Sequence, residues 1–377
     1  MVSGIYIHVP FCSQNCKYCH FVTVPFDCET AARYQASLVK EIELYAKSTG
    51  KRDEVDSIYF GGGTPSLLPG EGIGEILNAC REHLSISGDC EITLEVNPDT
   101  LNNRKSRLYS KSGVNRISMG VQSFHDRELE AIGRLHTVAS FEKSLKILLE
   151  NGFTNINLDL LLGIPLQTPS SWKGSLRRVP GLGFTHVSVY MLDLDEPCRL
   201  SDEVANGSVS IAEDDAVAGL FLETIDILAS YGYQQYEISN FAQKDRACRH
   251  NLKYWMRKPV IGFGLASHSF DGNSRSANFR DMVDYFQALE SSRLPIEWRR
   301  PLGEKESLAE ILFLGLRLNN GIQWDRLRRN YLEDFLQGYE NTLRELAEAG
   351  FVEWKDSTVR LTPKGMLLSN EIFQQFV

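Results

Sequence analysis

No stretch of this 377-residue chain approaches the roughly 20 consecutive apolar residues that a membrane-spanning helix needs. The opening Met-Val-Ser-Gly-Ile-Tyr-Ile-His is too short and too polar for a secretory signal. Positive charge is not in excess either. Forty Lys and Arg stand against 49 Asp and Glu, a formal net charge of −9, so no global field gathers nucleic acid. Internal repeats and low-complexity segments are missing, which excludes solenoids and long solvated tails. Cysteine is sparse: eight residues are too few to staple a chain of this length as a disulfide scaffold. What is present is the profile of a folded globular protein, 42% hydrophobic and 24% charged. The length suits one large domain with a smaller one attached, or two ordinary ones.

Six short apolar, β-branched runs predict strands at 4–9, 57–60, 91–96, 116–119, 155–162 and 186–191. Helical spacing of apolar residues fills 31–46, 74–83, 140–150 and 212–230. Strands alternating with helices predict an α/β fold with a parallel sheet under helices, and six units suggest a partial (β/α)6 barrel. A flat doubly wound sheet is the alternative that periodicity leaves open. Three parts are expected: residues 1–235 as the strand–helix core, 236–295 as a connecting segment, and 296–377 as a helical, winged-helix-like C-terminal domain. In that tail the pattern reads as helices at 307–318, 324–330 and 333–349, a hairpin at 351–355 and 358–361, and a last helix opened by Thr362-Pro363. Residues 300–377 carry 10 Lys and Arg against 12 Asp and Glu, which does not supply the positive footprint that phosphates require.

Three of the eight cysteines crowd into Cys12-Ser-Gln-Asn-Cys16-Lys-Tyr-Cys19, just after the first predicted strand. Such crowding without a secretory signal points to metal or redox chemistry in a reducing compartment, the cytoplasm or, in a processed form, an organelle matrix; the cytoplasm is the expectation. A loop, not a helix, brings three thiolates to three irons of a cubane, and the fourth iron then stays open. An open iron can chelate the amino and carboxylate groups of S-adenosylmethionine and pass an electron to its sulfonium. Zinc is the rival, with Cys28 or His20 as a fourth ligand. The scattered cysteines read as small buried hydrophobes, with Cys248 set apart because it lies two residues before His250.

A glycine-rich turn, Gly61-Gly62-Gly63-Thr64-Pro65, follows the second strand and lets backbone approach a ligand. Glu95 and Asn97 end the third strand, Gln122 and Ser123 end the fourth, and Asp159 lies in the fifth. Polar residues at strand C-termini converge on the active-site face of a (β/α) fold. Asn97 is read as a turn former before Pro98, and the bland reading of Arg134 is a surface helix residue.

These segments, together with Ile5-Tyr-Ile-His-Val-Pro-Phe-Cys12, Ser118-Met-Gly-Val-Gln-Ser-Phe124 and Tyr236-Glu-Ile-Ser-Asn-Phe241, resemble the oxygen-independent coproporphyrinogen III oxidase family of radical S-adenosylmethionine proteins. The segment Arg249-His250-Asn251-Leu-Lys-Tyr254-Trp255 resembles the HNxxYW motif of the HemW haem chaperones within that family. The resemblance implies a [4Fe–4S] cluster on Cys12, Cys16 and Cys19, and S-adenosylmethionine contacts from Tyr6, Gly62, Glu95 and His268. A second S-adenosylmethionine would meet Tyr18, Gly63, Thr64, Gln122, Arg134 and Asp159. His250, Asn251, Tyr254 and Trp255 would then bind haem, with His250 as axial ligand.

Two departures separate the chain from the oxidase. The oxidase follows its third cysteine with x-Cys, whereas His20-Phe21 stand here. With the first cysteine at residue 12, there is also no room for the oxidase's long N-terminal extension. The expectation is a haem chaperone that passes haem to an acceptor haemoprotein, with an electron donor for the cluster, no nucleic acid and no membrane span. The alternative is oxidative decarboxylation of coproporphyrinogen III, driven by S-adenosylmethionine cleavage.

Overall fold

A computed structural model describes residues 3–49 and 54–377. Its frame is one twelve-stranded sheet. Six strands form the expected parallel series: β1 (Ser3–Val9), β2 (Glu54–Gly62), β3 (Ser85–Val96), β4 (Arg116–Gln122), β5 (Ile156–Leu162) and β6 (His186–Met191). These lie in sequence order, as repeated strand–helix units require. The second and third strands start earlier than expected, because Ser85–Val96 opens on Ser-Ile-Ser-Gly-Asp, where no apolar alternation marks a strand.

Residues 234–301, which take in the expected connecting segment 236–295 and the first residues of the expected C-terminal domain, extend this sheet at both edges. β7 (Gln234–Glu237) and β8 (Asn240–Ala242) add antiparallel beyond β6. On the other side β9 (Val260–Phe263) pairs parallel with β1, and β10 (His268–Phe270), β11 (Ser274–Asn278) and β12 (Ile296–Pro301) follow antiparallel. The resulting α/β fold is an open partial barrel.

Strand alternation sorts the two faces. Ile5, Ile7 and Val9 of β1 are fully buried on the outer face, among Tyr34, Leu38 and Ile42 of helix Cys28–Thr49 and Ile73, Ile76 and Leu77 of helix Gly70–His83. The inner face takes the intervening residues, and nearly all are polar. Gly4 pairs with Ser57, Tyr6 with Tyr59, Glu95 with Ser118, Ser118 with Asn157, and Asp159 with Ser188. Buried polar atoms need partners, and side chains supply them: Asn157 donates to Asp159 Oδ1 at 2.7 Å and to Ser188 Oγ at 3.0 Å.

A second hydrophobic cluster holds the C-terminal region together around Leu308, Leu312, Trp324, Leu343 and Val359. Helices Glu304–Leu316, Trp324–Asn330 and Glu333–Glu348 precede the hairpin Val352–Lys355 and Thr358–Leu361, which Ile322–Gln323 extends to three strands. The first of these helices starts before its expected onset because Glu306 accepts the Gly303 N–H at 3.0 Å. Glu310 joins this region to the barrel through Arg257 at 2.7 Å and Arg275 at 2.5 Å. Among the described residues no helix is long and apolar enough to cross a membrane.

Trp172 pins helix Pro169–Arg178 to helix Asp214–Ser230; it is 1% exposed and donates to Thr224 Oγ1 at 2.9 Å. Trp172→Ala should cost about 3–5 kcal/mol, read as a lower denaturant midpoint. An unchanged midpoint would show that these helices are held by other contacts.

Candidate functional site

The C-terminal ends of the barrel strands and the cysteine loop enclose a cavity of about 590 Å³, within the usual range for a small-molecule site. Eleven sequence-predicted residues line it. Cys12, Cys16 and Cys19 stand on the loop with Tyr18; Gly62, Gly63 and Thr64 follow β2; Glu95, Gln122 and Asp159 end or lie near the ends of β3, β4 and β5; Arg134 comes from the turn after helix Asp126–Ala131.

The loop is held in place by backbone. Gly63 N–H donates to Val9 O and Thr64 N–H to Phe11 O, both at 2.8 Å. A Cβ on Gly63 would lie 2.7 Å from Phe11 O and 2.8 Å from Pro10 O. The close approach that this glycine permits is therefore to the chain's own cysteine loop. Gly62 has a φ of 110°, the region that favours glycine. Gln122 also has a positive φ, 65°, at a bulge of β4 against β5.

A hydrogen-bonded circuit ties the thiols to the strand ends. Cys12 Sγ lies 3.6 Å from Thr64 Oγ1, and Asn97 Nδ2 donates to the same hydroxyl at 3.1 Å. Arg134 Nη2 donates to Asn97 Oδ1 at 2.6 Å, and its Nη1 lies 3.6 Å from Cys16 Sγ. Asn97 is thus more than a turn former, and Arg134 is not a surface residue. Sequence reasoning sets Asn97 aside because a turn former before proline is a common bland role, whereas the family resemblance alone singles out Arg134. Burial pushes the Cys12 and Cys19 thiols above their ordinary values, so thiolates here need a cationic partner.

The donor set fits a cluster better than a single ion. Three sulfurs on one tetrahedral zinc would stand only about 3.8 Å apart, given Zn–S of about 2.3 Å. Among the described residues no three His, Cys, Asp or Glu groups converge in a way that could hold one metal ion. Cys28 is exposed at the start of its helix and His20 Nδ1 lies 3.9 Å from Glu196, so neither closes a tetrahedron. A cubane takes one thiolate on each of three irons and spreads them wider.

Across the cavity, Tyr59 donates to Glu95 Oε1 at 2.8 Å. Burial raises the Glu95 carboxyl to about 8, against the opposing pull of that phenol. Ser118 donates to Asp159 Oδ2 at 3.0 Å, and burial raises the Asp159 carboxyl too. A neutral acid becomes a carboxylate when a cation arrives beside it, so this wall suits a positively charged ligand with N–H donors. Tyr59, Ser118 and Asn157 escaped the sequence reading, although their alternation with apolar neighbours marks an inward face.

Six predicted residues do not line the cavity. Tyr6 stands behind its wall, stacked on Tyr59 at 6.4 Å. His268 is exposed on β10 against Trp298 and does not line the cavity. His250, expected as an axial ligand, lies outside the cavity. Its ring is 1% exposed, and its nitrogens meet Ser57 Oγ at 3.1 Å and Tyr254 Oη at 3.2 Å. Asn251, Tyr254 and Trp255 share its short helix, Arg249–Trp255, away from the cysteines. Cys248 is buried just before this helix, 3.5 Å from Glu91 Oε1.

Glu95 predicts a pH dependence. A carboxyl with a higher pKa folded than unfolded holds its proton more tightly in the fold. The stability that Glu95 contributes is therefore fully present below about 4.5 and is lost as pH rises through about 8. Measured by urea unfolding of the apoprotein from pH 5 to 8, Glu95→Gln should remove one downward contribution to the slope; Glu41, Asp159 and Glu237 still pull the same way, and the buried His8, His136, His186 and His250 the other. An unchanged slope would remove Glu95 as a contributor. Gly63→Ala should displace the cysteine loop and lower the iron retained after anaerobic reconstitution, and full iron retention would contradict the close backbone approach.

Residues 6–179 match the Radical SAM superfamily and residues 302–368 match the HemN C-terminal domain. A Bacillus subtilis protein named "Heme chaperone HemW" is 32% identical over 381 residues, spanning 100% of this chain and 99% of its own length. The Escherichia coli protein of that name is 36% identical over 272 residues, covering 70% of this chain and 69% of its own. The solved structure of the Escherichia coli coproporphyrinogen III oxidase HemN superposes with a TM-score of 0.85 at 24% identity, over 100% of this chain and 90% of that one. That likeness shows a shared fold. The full-length relatives and the two matched domains go further: this chain belongs to the HemW family of radical S-adenosylmethionine proteins.

Proposed function

We propose that the chain is a haem chaperone of the cytoplasm, which takes up haem and delivers it to an acceptor haemoprotein. The observation that carries this reading is the match, end to end, with proteins named as heme chaperones. Radical SAM membership implies a [4Fe–4S] cluster and S-adenosylmethionine. Cys12, Cys16 and Cys19 would hold the cluster. When bound, it supplies an open iron for the amino-acid end of S-adenosylmethionine and an electron from an external donor.

The chain's own residues do the rest. Glu95, presented by Tyr59, would accept the N–H groups of the amine, and the Gly62–Thr64 turn presents backbone polar groups beside the loop. Arg134 and Asn97 hold Thr64 and Cys16 in register. Tyr18, Gln122 and Asp159 leave a second place on the same cavity wall for another S-adenosylmethionine. Leu161, Met191 and Leu192 give the mouth an apolar side, beside a Phe21 that is 69% exposed.

Anaerobically reconstituted protein should show a [4Fe–4S] signal that S-adenosylmethionine perturbs, and Cys16→Ala should lose it. An intact signal in that variant would sink the ligand assignment. On the same sample, haem should bind stoichiometrically while coproporphyrinogen III is not converted. Turnover of coproporphyrinogen III to protoporphyrinogen would overturn the chaperone reading.

A further inference from the structure

His250 lies at the end of the barrel opposite the cysteine cavity, yet it connects to that cavity through three layers of inward-facing residues. The lowest layer is Gly4, Ser57 and Glu91, adjacent in register on β1, β2 and β3. The imidazole sits among them: Nδ1 meets Ser57 Oγ at 3.1 Å, Nε2 meets Tyr254 Oη at 3.2 Å, and the backbone N–H donates to Glu91 Oε1 at 3.3 Å. The next layer pairs Tyr6 with Tyr59. The ring of His250 stacks on Tyr59 at 5.2 Å and 27°, and on Tyr6 at 6.4 Å and 30°. The third layer is the cavity wall, where the Tyr59 hydroxyl donates to Glu95 Oε1 at 2.8 Å.

We propose that His250 is a positioning residue for the S-adenosylmethionine site, holding Tyr59 in place and through Tyr59 the carboxyl of Glu95. This rests on the reading of the cavity as that site.

The surrounding residues are shaped for such a column. A Cβ on Gly4 would stand 3.2 Å from His250 Nδ1 and 3.0 Å from Ser57 Oγ, so a larger residue would push the imidazole off its seat. A Cβ on Gly61 would stand 3.0 Å from Tyr59 Cε1 and 3.1 Å from Glu95 Oε1, so the phenol and the carboxyl meet only because that position is bare. Two hydroxyls fix the plane of the imidazole, and either can donate or accept to suit the tautomer. Burial beside Lys253 and Arg116 pushes His250 down to about 3, so the ring stays neutral and stacks as an uncharged aromatic.

The neighbouring residues gain a role on the same geometry. Tyr254 pins the imidazole from below, and Trp255 receives the Arg317 guanidinium of the C-terminal region at 4.3 Å from its ring centre. Arg317 also pairs with Glu237, which is fully buried, at 3.3 Å. The His-Asn-x-x-Tyr-Trp segment thus joins the base of the column to the C-terminal region.

The test measures S-adenosylmethionine affinity by its perturbation of the [4Fe–4S] signal in holoprotein, alongside haem titration. His250→Ala should weaken S-adenosylmethionine binding roughly tenfold, the scale of one hydrogen bond to a charged group. The haem spectrum and stoichiometry should not change. Tyr59→Phe keeps the ring, removes the donor to Glu95 and should weaken binding as much. The double variant should be no weaker than Tyr59→Phe alone, because both act along one path; a loss of packing elsewhere would instead add. An unchanged affinity in His250→Ala, additive effects in the double variant, or loss of the haem spectrum would each overturn the proposal. If His250→Ala fails to retain its cluster, Tyr254→Phe, which frees one ring nitrogen and keeps the imidazole, should show a smaller weakening. No weakening there overturns it as well. A wild-type cluster signal blind to S-adenosylmethionine would instead bring down the underlying site reading.

Discussion

Glu95 is an acid in the wrong place for an acid: buried at the end of a strand, facing another carboxyl across the barrel. The Tyr59 phenol and the Gly62 backbone N–H are its partners within the protein. The arrangement leaves the carboxyl raised to about 8, because these hydrogen bonds do not repay the loss of water. Much else in the barrel serves that contact. Gly61 is bare so that the two groups meet, Tyr6 and His250 support the phenol from the side and below, and Ser57 and Tyr254 hold His250. A site that keeps an acid neutral when empty is primed for a cation, and it stabilises that cation most when water is excluded.

The opposite wall depends on backbone rather than on side chains. The cysteine loop has little secondary structure of its own: Phe11–Cys12 pairs briefly with Val24–Pro25, and the glycine turn docks against it. Thr64 touches Cys12 with its side chain and Phe11 with its backbone, while Arg134 reaches Cys16 from 118 residues further along the chain. The thiols are thus positioned by three separate strand–helix units. A loop assembled this way holds several sulfurs at a spread that no single helix could offer.

The C-terminal region bears on the barrel through charge pairs and stacked rings rather than an extensive shared core. Glu310 binds two arginines of the barrel segment, and Arg317 covers Trp255. Its own hydrophobic cluster around Trp324 and Leu343 is almost wholly separate from that of the barrel. A latch of polar and aromatic contacts costs less to open than a shared apolar core of similar size, which suits a region placed beside residues that shape a site.

The cysteine spacing, the glycine turn, the six central strands and the order of the C-terminal helices are local patterns, and each is readable from neighbours a few residues apart. So the cluster loop, the parallel barrel and most of the cavity wall were already determined by the sequence. The inward face was not legible as a network. Period-two alternation says that Tyr59, Ser118 and Asn157 share a face, yet not which of them touch, because their contacts cross strands set by register. The same limit caught His250 and His268. Motif and spacing make both histidines candidates to hold a ligand; only the tertiary structure decides whether a ring nitrogen is free. For His268 the fold turns the ring outward onto Trp298, and for His250 it spends both nitrogens on Ser57 and Tyr254. A side chain's chemistry is written in the sequence, but its availability depends on what packs around it, and that is decided by residues as much as 193 positions away.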